Sequence, residues 1–201
     1  AEIYETLLER PEEAIAAYRR IAEVDGQDVS ALDALIRLYI AHERWVELLG
    51  VYERKVELVG DPEEKKQIFF DMAAVYEGQL SNPGAAIDTY AKVLDLDPAD
   101  ATAIGHLDGL YQSQGRWRDL LGILERESDL ASDPVEVVEF RYRSAKLHED
   151  HLGGVARAVE IYRDILDAAP EHGNTLTALT GILHGDKEPL AAAAEIGRAH
   201  V

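Results

Sequence analysis

Cysteine is absent from the chain and methionine occurs once. The missing cysteine removes disulfides, thiolate nucleophiles and cysteine metal ligands together, while saying little about compartment. No apolar run reaches the ~18 residues that would carry a helix across a bilayer, so membrane insertion is not expected. Cations are scarce: 20 Lys and Arg stand against 39 Asp and Glu, a net charge of −19 over 201 residues. Such a field repels phosphate backbones and anionic lipid surfaces, so nucleic acid is not an expected partner and basic or neutral polypeptide is. Sustained period-two alternation is missing too, which leaves no candidate strand. Neither a phosphate-cradling GxxxxGK[ST] or GxGxxG loop nor a GxSxG nucleophile elbow is present.

Histidine offers the remaining route to a metal site. His148 and His151 lie three apart in HEDH, whereas the metalloprotease helix needs a spacing of four to aim both imidazoles at one zinc. His42, His106, His172 and His184 are scattered without a paired carboxylate set. Acidic pairs such as Glu12-Glu13 and Glu63-Glu64 fall where helices begin, and negative charge there suits the helix dipole. No catalytic residue, metal ligand or cofactor is assigned.

What the chain does contain is itself, twice. Residues 43–55 read ERWVELLGVYERK and residues 115–127 read GRWRDLLGILERE. Displacing the sequence by 72 positions superposes Trp45 on Trp117, Leu48 and Leu49 on Leu120 and Leu121, and Asp61-Pro62 on Asp133-Pro134. Upstream, Tyr4, Leu8, Pro11, Ala14, Ile15 and Tyr18 fall on Tyr76, Leu80, Pro83, Ala86, Ile87 and Tyr90. The gap-free comparison of the first 72 residues with the next 72 gives 25 identities, where unrelated sequences would give roughly five. A third copy begins at Ala145, with His148 in the tyrosine position, then Leu152, Ala158, Val159 and Tyr162, and fails after Leu183.

Within each copy the apolar spacing is helical. Ala86, Ile87, Tyr90, Val93 and Leu94 step by three and four along one stripe, opened by Pro83 and closed at Asp97-Pro98. Ile104, Leu107, Leu110 and Tyr111 share the face of the next helix, after which Gly115 can take positive φ and turn the chain into the Trp117 helix. GRWRDLLGILERE then starts a helix with Trp117, Leu120, Leu121 and Leu124 towards the core. Arg116, Arg118, Asp119, Glu125 and Arg126 are expected towards water.

This pattern resembles the tetratricopeptide repeat (TPR), a unit of about 34 residues. Counting from Gln67, Ala74 takes position eight, Ala86 position 20, Tyr90 position 24 and Pro98 position 32. Counting from Ala101, Leu107, Tyr111 and Gly115 take positions seven, eleven and fifteen. Registers start near residues 29, 67, 101, 139 and 173, in spacings that alternate between 34 and 38. The repeats at 29 and 101 depart from the family by carrying Leu48 and Leu120 where alanine is usual. Four extra residues follow them, near Val59–Glu63 and Ala131–Val135, and predict longer helices or a wider turn.

The resemblance implies an all-α fold, a right-handed α-solenoid of antiparallel helix pairs running continuously through residues 1–195. AEIYETLLER opens in mid-helix without an initiator Met, so the chain reads as a fragment. The terminal EIGRAHV matches a translated sequencing adapter (GAG ATC GGA AGA GCA CAC GTC), so residues 196–201 are expected to be non-native.

In such arrays the first helix of each pair lines the concave face through positions two, five, nine and twelve. Carried over, these positions nominate Asp33, Arg37, Asp71, Val75, Gly105, Gly109, Phe140, Arg143 and Leu147 as partner-binding residues, with Ser30, Ile40, Ile68 and Gly78 among their neighbours. The carboxylate clamp of some relatives needs Lys, Asn and Arg there, and this chain offers mostly Asp, Gly, Thr, Val and Leu. The resemblance implies a non-catalytic scaffold that binds a protein or peptide. The alternatives are a substrate-recruiting arm of a larger enzyme, or a spacer that self-associates through uncapped ends.

Overall fold

Prolines and short polar side chains decide where the helices begin. The computed structural model describes residues 10–185. Tyr4, Leu8 and residues 196–201 lie outside them, as do the two ends of the expected array. Helix α1 spans Pro11–Val24, α2 Val29–Ala41, α3 Trp45–Leu58 and α4 Pro62–Ala74, the last running into a π turn at Val75–Gln79. Then follow α5 (Pro83–Leu96), α6 (Ala101–Ser113), α7 (Trp117–Leu130), α8 (Pro134–Asp150), α9 (Val155–Ala168) and α10 (Gly173–Leu183). Proline occupies the first turn of α1, α4, α5 and α8, where a missing N–H costs nothing. Asp28, Asp61, Asn82, Asp100 and Asp133 each accept a backbone N–H from the first turn of the helix they precede. No strand occurs among the described residues. The all-α helical repeat is therefore what the structure shows.

The chain divides into two compact units, Ala1–Ala103 and Ile104–Val201. In the first, Ala14 and Ile15 of α1, Leu35, Leu38 and Tyr39 of α2, Leu48, Leu49 and Tyr52 of α3, and Ile68 and Met72 of α4 form one core. In the second, Leu120 and Leu124 of α7 pack with Leu147 of α8. Ala145 of α8 packs with Ala158, Tyr162 and Ile165 of α9 and with Ile182 of α10. The small residues at one position of the second helices, Ala14, Ala86 and Ala158, are all fully buried, which lets neighbouring helices approach closely.

Two left-handed backbone positions recur with the 72-residue period. Glu43 (φ 55°) stands where the second copy has Gly115 (φ 64°), and Ser81 (φ 49°) where it has Gly153 (φ 65°). At the first pair, Arg44 N–H donates to the Tyr39 carbonyl and Glu43 N–H to that of Ile40. Arg116 and Gly115 repeat both bonds with Tyr111 and Gln112. That is the Schellman closure, which favours glycine because a Cβ crowds its own carbonyl there. Gly115→Ala is accordingly expected to lower stability by about 1 kcal/mol, and Glu43→Gly to raise it by about 0.5 kcal/mol. A thermal melt in which Glu43→Gly destabilises would show that the glutamate holds its turn by other means.

The sequence predicted longer helices or a wider turn at the four extra residues, and longer helices are found. α4 with its π turn covers 62–79 and α8 covers 134–150, against Val29–Ala41 for α2 and Ala101–Ser113 for α6. The predicted register of these longer helices is one residue out. The buried small residues are Ala73 and Ala145, while Ala74, assigned to position eight, is exposed. The π turn is the cause. Leu80 N–H reaches back five residues to Val75 and Asn82 N–H six to Tyr76. Leu152 and Gly154 repeat this on Leu147 and His148. Each wide turn absorbs one extra residue, so the next helix returns to register.

Candidate partner-binding surface

The register shift decides which nominated residues face solvent. On α2, Ser30, Asp33, Arg37 and Ile40 are exposed, and on α6 Gly105 and Gly109 are exposed with nothing within 4 Å of where a Cβ would stand. On α10, Asn174 and Thr177 are exposed as well. On the longer helices positions two and nine turn inward, while Gly78 and Asp150 at position twelve stay exposed. Val75 is 8 % exposed in the core of the first unit, and Leu147 is 7 % exposed against Leu120 and Leu124. Ile68 is buried in the first of these clusters, and Phe140 packs half-buried on the second. Val75 and Leu147 therefore serve packing, because the residue preceding each now occupies the outward position.

The charged candidates are held by partners, and the two copies hold them with opposite signs. In the first unit Lys55 of α3 reaches Asp33 of α2 at 2.8 Å and Glu64 of α4 at 3.3 Å, tying three helices together. Asp71 accepts from Gln67 at 2.9 Å. Seventy-two residues later, Lys55 becomes Glu127 and Asp71 becomes Arg143. In the second unit Arg143 of α8 binds Asp108 of α6 through two parallel bonds of 2.7 and 2.8 Å, with Glu127 of α7 at 4.0 Å. One Glu127 oxygen is buried without a hydrogen-bond partner. Burial, then the neighbouring Asp108 carboxylate, push the Glu127 pKa up to about 7 against the opposing pull of Arg143.

The tryptophans and histidines also find specific places. Leu120 and Leu124 are buried as expected, and so is Ile123, while Trp117 and Leu121 are half-buried. Trp117 stacks on His151, with ring centroids 3.9 Å apart and 11° between planes. His148 lies against Gly154 instead, and burial lowers its pKa. The two imidazoles of HEDH thus serve different neighbours. Among the described residues no group of three or more His, Cys, Asp and Glu is placed to hold a metal ion.

Several polar residues that matter escaped the sequence reading. Tyr162 donates to Glu149 at 2.7 Å, and Tyr90 donates to Glu77 at 3.3 Å in the preceding copy. Arg44 and Arg116 lie over the rings of Tyr39 and Tyr111, at 5.3 and 4.8 Å. Glu77 and Glu149 are not equivalent in exposure, but they are identical residues 72 positions apart, and that identity was the available signal.

Comparison with known proteins follows the same period. A family model described as "Tetratricopeptide repeat" matches residues 31–66 and 103–135, segments whose starts are one 72-residue copy apart. No curated protein matches the sequence. Among solved structures, a chain of Naa15/Naa10 bound to HypK-THB is similar at 19% identity, over 90% of this chain and 27% of that one, with a TM-score of 0.50. YrrB, described as a TPR protein with an unusual peptide-binding site, is similar at 18% identity over 88% of this chain and 87% of that one (TM-score 0.45). MamA 41-end from Desulfovibrio magneticus RS-1 is similar at 17% identity over 86% and 94% (TM-score 0.43). At 19% identity the likeness to the Naa15/Naa10 chain is one of fold alone.

Proposed function

We propose, from the premise that this chain carries tetratricopeptide repeats, that it is an interaction scaffold that takes a basic or neutral polypeptide along the first helices of its pairs. The observation that carries this is the outward stripe that α2 presents in the first unit and α6 in the second, each taken by itself. Those helices bury one stripe and leave Asp33, Arg37, Ile40, Gly105 and Gly109 at the surface, and the glycines leave room for a partner's backbone to approach. Glycine inside a helix costs about 1 kcal/mol relative to alanine, and the open space beside both glycines gives packing no reason to require them. A net charge of −19 adds long-range attraction for cationic segments.

A photo-cross-linking residue placed at Arg37 or Gly109 should capture the same partner polypeptide. The same residue at Arg20 or Asp95, exposed on second helices, should not. Equal capture at all four positions would remove the first-helix surface from consideration. The captured partner's affinity is expected to fall about tenfold or more between low and physiological salt. An affinity indifferent to ionic strength would dismiss charge as the source of attraction.

A further inference from the structure

The second unit contains an open groove of about 880 Å³ between α8 and α9, apart from the exposed residues of α2 and α6. Its floor is apolar: Val135 and Val138 from α8, Ile165 and Ala168 from α9, and Ala169 just beyond. Val135 remains 73% exposed. A groove of this size lies within the range of ~300 to 1,000 Å³ usual for ligand sites.

The first copy carries a charged cluster at the corresponding residues. There Lys66 reaches Glu63 at 3.2 Å, Asp97 at 3.0 Å and Asp100 at 3.1 Å, and its side chain is only 16% exposed. Seventy-two residues on, the cluster has gone: Glu63 is replaced by Val135, Lys66 by Val138, Asp97 by Ala169 and Asp100 by His172. A four-charge clip has become an apolar channel, and the helices on either side are unchanged in kind. The rim is acidic. Glu171 lines the channel, the exposed Asp133 is held against the lining Val135 N–H, and the exposed Glu139 stands beside the lining His172, against one lining arginine, Arg141. His172 is turned to Glu139 at 3.4 Å.

We infer that the α8–α9 groove is a second docking site, which takes a polypeptide segment bearing large aliphatic side chains flanked by lysine or arginine. The aliphatic groups cover the valine and alanine floor, and the cations meet the three rim carboxylates. The site rests on the comparison of the two copies and does not depend on the exposed residues of α2 and α6.

The test uses the full chain with methyl-labelled valine and isoleucine, and an amphipathic leucine–lysine peptide as probe. The expected result is saturable movement of the Val135, Val138 and Ile165 signals, absent with an alanine–lysine peptide and with a leucine–aspartate peptide. Val138→Lys combined with Ala169→Asp rebuilds the first copy's Lys66–Asp97 pair, and should weaken peptide binding about tenfold or more with helicity retained. Val135→Asp, at a position exposed enough to spare the fold, should weaken it similarly. Unchanged affinity in both variants overturns the inference. So does movement confined to α2 and α6, which would leave the proposed function standing. Movement of the groove signals with protein concentration alone would assign the groove to a second copy of this chain and overturn it equally.

Discussion

Tyr162→Ala is expected to lower the unfolding free energy of the second unit by about 3–4 kcal/mol, the usual range for removing a fully buried aromatic ring. The side chain is 0% exposed and packs among Ala145, Ala158 and Ile165. Its hydroxyl donates to Glu149 at 2.7 Å, and the Glu149 side chain is itself only 4% exposed, with Lys146 also within 3.1 Å. Burial, followed by this carboxylate, raises the phenol pKa, so the hydroxyl keeps its proton and remains a donor. Tyr162→Phe keeps the ring but withdraws a donor from a buried carboxylate, and should cost about 2 kcal/mol. Tyr90→Phe makes the same change one copy earlier, where the bond is 3.3 Å long and Glu77 is exposed. There water can replace the hydroxyl, and the cost should be about 0.5 kcal/mol. Urea unfolding followed by circular dichroism separates the two. Equal costs for both Phe variants would mean that the buried Tyr162–Glu149 pair adds nothing beyond its ring.

Glu127→Gln is expected to stabilise the protein above neutral pH. The folded-state pKa of about 7 lies above the ordinary value of 4.5, so the folded state holds this proton more tightly than the unfolded state does. The contribution is therefore fully present below about pH 4.5 and is lost as pH rises through about 7. Its size is about 1–2 kcal/mol once solvent screening of a partly exposed group is allowed for. Glutamine has the same shape and no charge to desolvate. It should match the wild type near pH 5, exceed it near pH 8, and flatten the slope between them. Asp28 and Asp97 act in the opposite sense, because a hydrogen bond from Ser30 and one from Lys66 respectively lower their pKa values. Their effect appears only in more acidic solution, so the difference between variant and wild type isolates Glu127. A variant less stable than the wild type at high pH would mean that Arg143 draws more from the Glu127 charge than burial takes from it.

Much of this was legible in the sequence because duplication writes packing twice. The stripe Ala86, Ile87, Tyr90 and Val93, the proline starts and the Gly115 turn all follow from spacing and local stereochemistry, and the structure keeps them. The faces of α4 and α8 were misread by one residue. A π turn carries no distinctive residue type, and its extra residue is absorbed before the next helix begins. Val75 and Leu147 were nominated as surface for that reason alone, although an aliphatic residue at both positions is also what a core requires. The ion pairs of Lys55, Glu127 and Arg143 were hidden for a different reason. Their partners come from neighbouring helices, from Glu64 beside Lys55 to Asp108 beside Arg143, and helical periodicity reports one helix at a time.

The reversal of charge between copies bears on how the chain avoids tangling with itself. Tandem duplicates invite helix exchange, because each segment resembles the legitimate neighbour of another. Here α3 laid against α8 would bring Lys55 towards Arg143, and α7 laid against α4 would bring Glu127 towards Asp71 and Glu64. Either slip of one period sets like charges together in a partly buried place, where water screens them poorly. Charge thus disfavours exchange of the duplicated segments, while the hydrophobic stripes that define them keep their helical spacing.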